Sequence, residues 1–212
     1  MKKDLTQIII VLDRSGSMSS IQQATISGFN EFISKQRTLP GEATLLAVKF
    51  DDQYELLYEG SLAGAPPLDE TSFVPRGMTA LQDAIGRTID EAGRKLAATG
   101  EQQRPEKVVF MILTDGLENA SKEYTHQRVA EMIQHQREKY SWEFIFLGAN
   151  QDAVLVGAGL NIPRHGSMTY AASPAAMASV MDSAGQLTAR YRAGKPAAFT
   201  EEQREAAMTG KA

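Results

Sequence analysis

A chain of 212 residues with 42% hydrophobic content is long enough to bury one substantial core and short for two. Its 26 acidic and 22 basic residues give a formal charge of −4, and they are mixed along the chain with no Lys/Arg tract and no interleaving of basic with aromatic residues, so nucleic-acid binding gains no support. The absence of cysteine excludes disulfides, thiolate metal sites and cysteine nucleophiles and points to a reducing, cytoplasmic setting, and no stretch approaches the roughly 18 uninterrupted apolar residues that cross a bilayer.

Met1-Lys2-Lys3 ahead of an apolar run has the outline of a signal peptide. Asp4 and Gln7 interrupt it, however, and it ends at Asp13 without a small-residue cleavage site. Ile8 to Leu12 therefore reads as a first, buried strand. Asp13-Arg14-Ser15-Gly16-Ser17 follows directly. In an extended segment residues i, i+2 and i+4 share a face, so Asp13, Ser15 and Ser17 would present one carboxylate and two hydroxyls to a common point, with Gly16 free to turn sharply among them. Hard oxygen donors without thiol or imidazole suit Mg²⁺ or Mn²⁺ rather than zinc or copper. The competing reading is a cap and turn, since Ser20-Ile21-Gln22-Gln23 has the capping-box form. An EF-hand is excluded, because Met18 stands where its glycine would be and Ala24 where its bidentate glutamate would be. A nucleophilic Ser15 or Ser17 lacks the Gly-x-Ser-x-Gly elbow.

Ile21, Thr25, Gly28, Phe29, Phe32 and Ile33 recur at helical spacing and predict a helix from Ser20 to about Arg37. Pro40-Gly41 breaks the chain, and Ala43 to Phe50 reads as a second buried strand. The turn Asp51-Asp52-Gln53 then sets Tyr54 to Leu62 at hairpin distance, predicting an antiparallel edge strand, with the two aspartates read as ordinary turn residues. Residues 63–78 form a long irregular loop of the kind that is often functional. Gly77-Met78-Thr79 closes it, and Leu81, Ile85, Ile89, Ala92 and Leu96 trace a second helix. Locally, Thr79 reads as an N-cap, with Gln82 completing a capping box.

Val108 to Leu113, the second strongest apolar run, also ends in a carboxylate, at Thr114-Asp115-Gly116. Ligands of open parallel sheets bind outside the carboxyl ends of strands, where connections diverge to opposite faces, so Asp13 and Asp115 would be neighbours if their strands are central. A helix is expected from about His126 to Lys139, a strand from Trp142 to Leu147 closing at Gly148-Ala149-Asn150, and a short helix from Asp152 to about Gly159. A weak strand around Ser167 to Tyr170 precedes a long helix opened by Ser173-Pro174. The first 194 residues read as one domain, and 195–212 as a polar tail, loosely helical around Thr200 to Met208 or disordered. His126, His135 and His165 are too scattered for a zinc site, and no nucleotide-binding glycine loop follows any strand.

Asp-x-Ser-Gly-Ser at Asp13 to Ser17, Gly-x-Thr at Gly77 to Thr79 and Thr-Asp-Gly at Thr114 to Gly116, in that order and each at the expected structural position, resemble the metal-ion-dependent adhesion site of von Willebrand factor A domains. The resemblance spans nearly the whole chain. It implies an α/β, three-layer doubly wound fold: a mostly parallel six-stranded sheet with one antiparallel edge strand and helices on both faces. It also implies Ser15 and Ser17 as direct hydroxyl ligands of Mg²⁺ (Mn²⁺ being the other fitting ion), Thr79 as a ligand direct or through water, and Asp13 and Asp115 as carboxylates acting through water. Lacking the cysteines of the extracellular adhesive members, the chain looks more like the stand-alone intracellular bacterial or phage members of the tellurite-resistance TerY type, associated with stress response and assembly.

The expected function is a non-enzymatic, Mg²⁺-dependent protein-interaction module whose ion takes an Asp or Glu carboxylate from a partner protein, with residues 63–78 and 117–124 lining that face. The alternative is a metal-assisted phosphoryl-transfer or hydrolytic enzyme using Asp13 or Ser15. It lacks a second Asp two residues on, where Ser15 stands, and any well-placed Lys or His.

Overall fold

Strands that are apolar at every position must be covered on both faces, so alternating them with amphipathic helices dictates a layered α/β domain. The computed structural model describes residues 1–149 and 151–210. In chain order it contains β1 (Lys2–Asp13), α1 (Gln22–Arg37), β2 (Glu42–Phe50), β3 (Tyr54–Ser61), α2 (Leu81–Ala98) and β4 (Pro105–Thr114), then α3 (His126–Tyr140), β5 (Glu143–Ala149), α4 (Ala153–Gly159), β6 (Ser167–Tyr170), α5 (Pro174–Arg192) and α6 (Glu201–Thr209). The expected close of the fifth strand at Asn150 falls outside the described residues, as do the last two residues of the tail.

The six strands lie in the order β3-β2-β1-β4-β5-β6. Every neighbouring pair is parallel except β2 with β3, so the hairpin across Asp51-Asp52-Gln53 supplies the antiparallel edge. β1 illustrates how the sequence builds the layers. Ile8, Ile10 and Leu12 face a core made with α1 and α5, while Ile9 and Val11 face a second core made with α2 and α3. All five side chains are buried, which places β1 at the centre of the sheet. On the first face α1 and α5 approach closely where Gly28 meets Met181: a Cβ at Gly28 would lie 2.9 Å from Met181 Cγ.

The connections after β1 and β4 leave to opposite faces, so the sheet's order reverses between these two strands. Leu12 pairs with Leu113, which sets the carboxyl ends of β1 and β4 side by side. Asp13 and Asp115 therefore emerge together.

The other end of the sheet is closed by the C-terminal segment. α6 begins with a capping box formed by Thr200 and Gln203, and Phe199 and Ala207 are buried. Arg204 donates to the carbonyls of Ser167 and Arg164, each at 2.7 Å, and Ala171 N–H donates to Ala207 O at 3.0 Å. The edge strand β6 is thereby covered.

One local expectation differs. The capping box at Ser20 does not form: α1 is preceded by a 3₁₀ turn, Gly16–Ile21, and its N-cap Ile21 makes no side-chain cap. The hydroxyls of Ser19 and Ser20 donate instead to the carbonyls of Gly16 and Ser17, 2.8 and 3.4 Å away, because the tighter turn brings those carbonyls within reach.

Candidate metal centre

The loop after β1 is held by its own carboxylate. Asp13 is fully buried; its Oδ1 accepts the Ser15 N–H and its Oδ2 accepts the Thr114 hydroxyl, both at 2.6 Å. The chain then enters the 3₁₀ turn, with Met18 N–H donating to Ser15 O at 3.0 Å. Ser15 and Ser17 thus come to one side through a turn, not through the alternation of an extended strand. Their Oγ atoms lie 3.1 Å apart, and Ser17 Oγ donates to Asp115 Oδ1 at 2.5 Å. Ser17 and Asp115, 98 positions apart in sequence, are in direct contact.

Thr79 arrives from the loop before α2. Arg76 N–H donates to Arg14 O at 2.8 Å and Gly16 N–H to Gly77 O at 3.3 Å, lacing this loop to the first one. Gly77 has φ +68°, a conformation that glycine reaches without a steric cost. The N-cap reading of Thr79 is not what the structure shows. Ala80 is the N-cap residue of α2 and makes no side-chain cap. The orphan N–H groups are taken by the loop after β4: Gln82 N–H donates to Glu118 Oε2 at 2.8 Å and Asp83 N–H to Ser121 Oγ at 3.0 Å. With the helix capped from elsewhere, the Thr79 hydroxyl is left for the site.

The three hydroxyls converge over Gly116. A Cβ built there would lie 3.0 Å from Thr79 Oγ1, 3.6 Å from Ser17 Oγ and 3.7 Å from Ser15 Oγ. Three neutral oxygens and the Asp115 carboxylate therefore surround one small space, with Asp13 directly behind. In an octahedron with metal–oxygen bonds of 2.0–2.1 Å, adjacent oxygens are about 2.9 Å apart, close to the Ser15–Ser17 separation. Among the described residues no group of three or more His, Cys, Asp or Glu side chains could hold a metal ion, so any ion at this place would depend on hydroxyl ligands. The donor set fits a small, hard divalent ion.

Electrostatics agree with this fit. Burial raises the Asp13 carboxyl to about 6 against the hydrogen bonds from Thr114 and Ser15, and the neighbouring Asp115 charge adds to the rise. Asp115 is also raised, again by burial, with the Ser17 hydrogen bond opposing. Beneath them the buried Tyr170 hydroxyl donates to Thr114 O at 3.2 Å, and its own pKa lies well above the ordinary value through burial and the charges of Asp115 and Asp13. Two carboxylates are thus held close together in a poorly solvated place. The adjacent Arg14 does not neutralise them, because its guanidinium is turned to Asp51 and Glu55.

The structure brings Asp13, Ser15, Ser17, Thr79 and Asp115 to one place at the carboxyl-terminal edge of the sheet. It also shows neighbours of these residues whose contacts sequence reasoning missed. Asn119 accepts the Thr79 N–H on its side-chain oxygen at 2.9 Å and donates its own N–H to Thr79 O at 3.0 Å. Glu118 and Thr114 have the roles just described. Asp51, read as a turn residue, is fully buried and ion-paired to Arg14 and Arg76. The signal for Glu118 and Asn119 was their place in the loop 117–124 that follows Thr-Asp-Gly. The three histidines stay away: His165 pairs with Glu143 at 3.2 Å, His135 lies edge-on to Tyr140, and His126 lies beside Gly159 at the end of α4.

No protein-family model and no curated protein matches the sequence. Solved structures do. A von Willebrand factor type A protein from Catenulispora acidiphila superposes with a TM-score of 0.57 at 18% identity, covering 90% of this chain and 43% of its own. This chain has the von Willebrand factor A fold. The proximal thread matrix protein 1 of the mussel byssus gives a TM-score of 0.60 at 17% identity over 89% of this chain and 48% of its own. The ArnB paralog VWA2 of Sulfolobus acidocaldarius gives 0.56 at 16% over 85% and 45%. The chain spans less than half the length of each. At these identities the likeness is one of fold, and the von Willebrand factor A architecture explains why the candidate ligands stand where β1 and β4 diverge.

Around the site, Met78 and Leu117 are exposed next to Thr79 and Gly116, on the two loops expected to line this face. Among the described residues no helix is long and apolar enough to cross a membrane.

Proposed function

We propose that this von Willebrand factor A domain is a non-enzymatic, Mg²⁺-dependent protein-interaction module whose ion is completed by an Asp or Glu carboxylate of a partner protein. The observation that carries the reading is the convergence of the Ser15, Ser17 and Thr79 hydroxyls over Gly116, beside Asp115 and in front of Asp13. Ser15 and Ser17 would hold the ion directly, Thr79 directly or through water, and Asp115 and Asp13 through water, with Asp13 also holding the loop. A bound Mg²⁺ would supply an electrophilic centre that the neutral hydroxyls leave undercompensated, and so an affinity for an external anion. Mn²⁺ fits the same donors. Exposed Met78 and Leu117 favour a protein partner over a small anion. The cysteine-free composition supports a reducing, cytoplasmic setting, and a stress-response or assembly role is part of the same proposal.

The enzymatic alternative gains nothing from the geometry. Asp13 has both carboxylate oxygens engaged and no exposed surface.

The test is a Mg²⁺ titration by calorimetry, followed by capture from a lysate of the source organism in Mg²⁺, in EDTA, and with Asp115→Ala in Mg²⁺. The reading expects a partner retained only by the wild-type protein in Mg²⁺. A partner held equally in all three conditions would make the ion incidental to the interface.

A further inference from the structure

We infer that Asp51 is a positioning residue for the cation site: it fixes the spacing between the loop carrying Ser15 and Ser17 and the loop carrying Thr79. The inference rests on the reading of these residues as metal ligands. Asp51 stands just past the end of β2, apart from the ligands, and touches both loops that bring them. Its Oδ2 accepts from Arg76 Nε at 2.8 Å and lies 3.1 Å from Arg14 Nε. Its backbone carbonyl accepts the N–H of Ala80, next to Thr79, at 2.9 Å. Its Oδ1 takes the Gln53 N–H at 2.7 Å, which holds the carboxylate in place.

These contacts fall on the residues that flank the ligands. Arg14 lies between Asp13 and Ser15, and its N–H donates to Phe50 O at 2.8 Å, which ties the first loop to the end of β2. Arg76 leads into Gly77-Met78-Thr79, and its N–H donates to Arg14 O. A single carboxylate thereby clamps the two arginines whose backbones already touch. Glu55 completes the arrangement, accepting from Arg14 Nη2 at 2.5 Å and from Arg76 Nη2 at 3.0 Å.

Two effects follow for an ion. Octahedral Mg²⁺ tolerates little spread in its ligand positions, so loops that slide by a fraction of an ångström lose affinity. The two guanidinium charges near the site are also balanced by Asp51 and Glu55; without Asp51 they would oppose a cation through a poorly screened interior. A buried ion pair of this sort is weak support for stability, and its use lies in fixing one geometry. Outer partners of metal ligands carry about 10- to 100-fold of affinity in metal sites generally.

The experiment measures Mg²⁺ affinity by calorimetry, and Mn²⁺ affinity by the loss of free-ion signal in electron paramagnetic resonance. It uses the full chain as wild type, Asp51→Asn and Arg76→Met, with Lys35→Met, whose side chain pairs with Glu31 and Asp182 between α1 and α5, as a control away from the network. Melting of each metal-free protein is followed by circular dichroism. The expected result is an affinity at least about tenfold weaker in Asp51→Asn and in Arg76→Met, in folded protein, with the control unchanged. If Asp51→Asn fails to fold, Arg76→Met decides, since its side chain is half exposed and its backbone contact survives the change. Lower melting points with affinities within about twofold of wild type would overturn the inference and leave Asp51 a purely structural residue. No uptake by the wild-type protein would overturn the metal reading itself, a different result from equal binding by all four proteins.

Discussion

Asn119 holds Thr79 at both ends of its peptide: the Asn119 side-chain oxygen accepts the Thr79 N–H at 2.9 Å, and the Asn119 N–H donates to the Thr79 carbonyl at 3.0 Å. The pair joins the loop before α2 to the loop after β4, so one residue, through its side chain and its backbone, helps to place two of the three segments that line the site. Asn119→Ala leaves the Thr79 N–H without its acceptor and is expected to cost about 1–3 kcal/mol of stability and to weaken Mg²⁺ binding. Asn119→Asp, which keeps an acceptor, should recover most of the stability. Thermal melts and calorimetric titration of the two variants check this, and an alanine variant as stable as wild type would show that water or a neighbour replaces the contact.

Gly116 is the floor of the site. Its φ lies outside the left-handed region, so alanine is compatible with the backbone there. The new methyl group would nonetheless stand 3.0 Å from Thr79 Oγ1 and within 3.7 Å of both serine hydroxyls. Gly116→Ala is therefore expected to keep the fold and lose measurable Mg²⁺ affinity. Near-wild-type titration of a well-folded Gly116→Ala would place the ion elsewhere.

Glu118 caps α2 from outside that helix. Its Oε2 accepts from Gln82 N–H and from Ser121 Oγ, and its Oε1 accepts the N–H groups of Ala120 and Ser121. Losing a cap costs typically about 1 kcal/mol, and here four donors lose their acceptor together, so Glu118→Ala is expected to lower stability by about 2 kcal/mol. Urea unfolding of the variant measures it directly, and a midpoint unchanged from wild type would contradict the capping role.

The metal-free protein should also respond to pH through Asp13. Its carboxyl is raised by burial from 3.8 to about 6. A folded-state pKa above the unfolded one contributes stability that is fully present below the unfolded value and lost as pH rises through the folded value. In metal-free buffer the protein is thus expected to lose on the order of 2–3 kcal/mol from this residue between about pH 4 and about pH 6.5. Asp13→Asn should flatten that part of the profile. Melting curves of both proteins across this range decide, and parallel profiles would remove Asp13 as the cause.

Much of this was legible in the residue pattern alone. The continuous apolar runs at Ile8–Leu12 and Val108–Leu113 determined two strands buried on both faces, and the carboxylates at their ends determined where ligands would gather. Turn chemistry at Asp51-Asp52-Gln53 gave the antiparallel edge. These are properties of neighbouring residues, because periodicity and turn preference act over a few positions of chain. Tertiary structure alone decided which hydrogen-bond donors each acceptor meets. Thr79 looked like a cap because Gln82 stood three residues on, yet Glu118 fills that role from 36 positions away. Asp51 looked like a turn residue, yet Arg14 and Arg76 make it a buried clamp. The register of β1 against β4 and the reversal of sheet order bring these loops together, and no local spacing encodes which side chains then come within 3 Å.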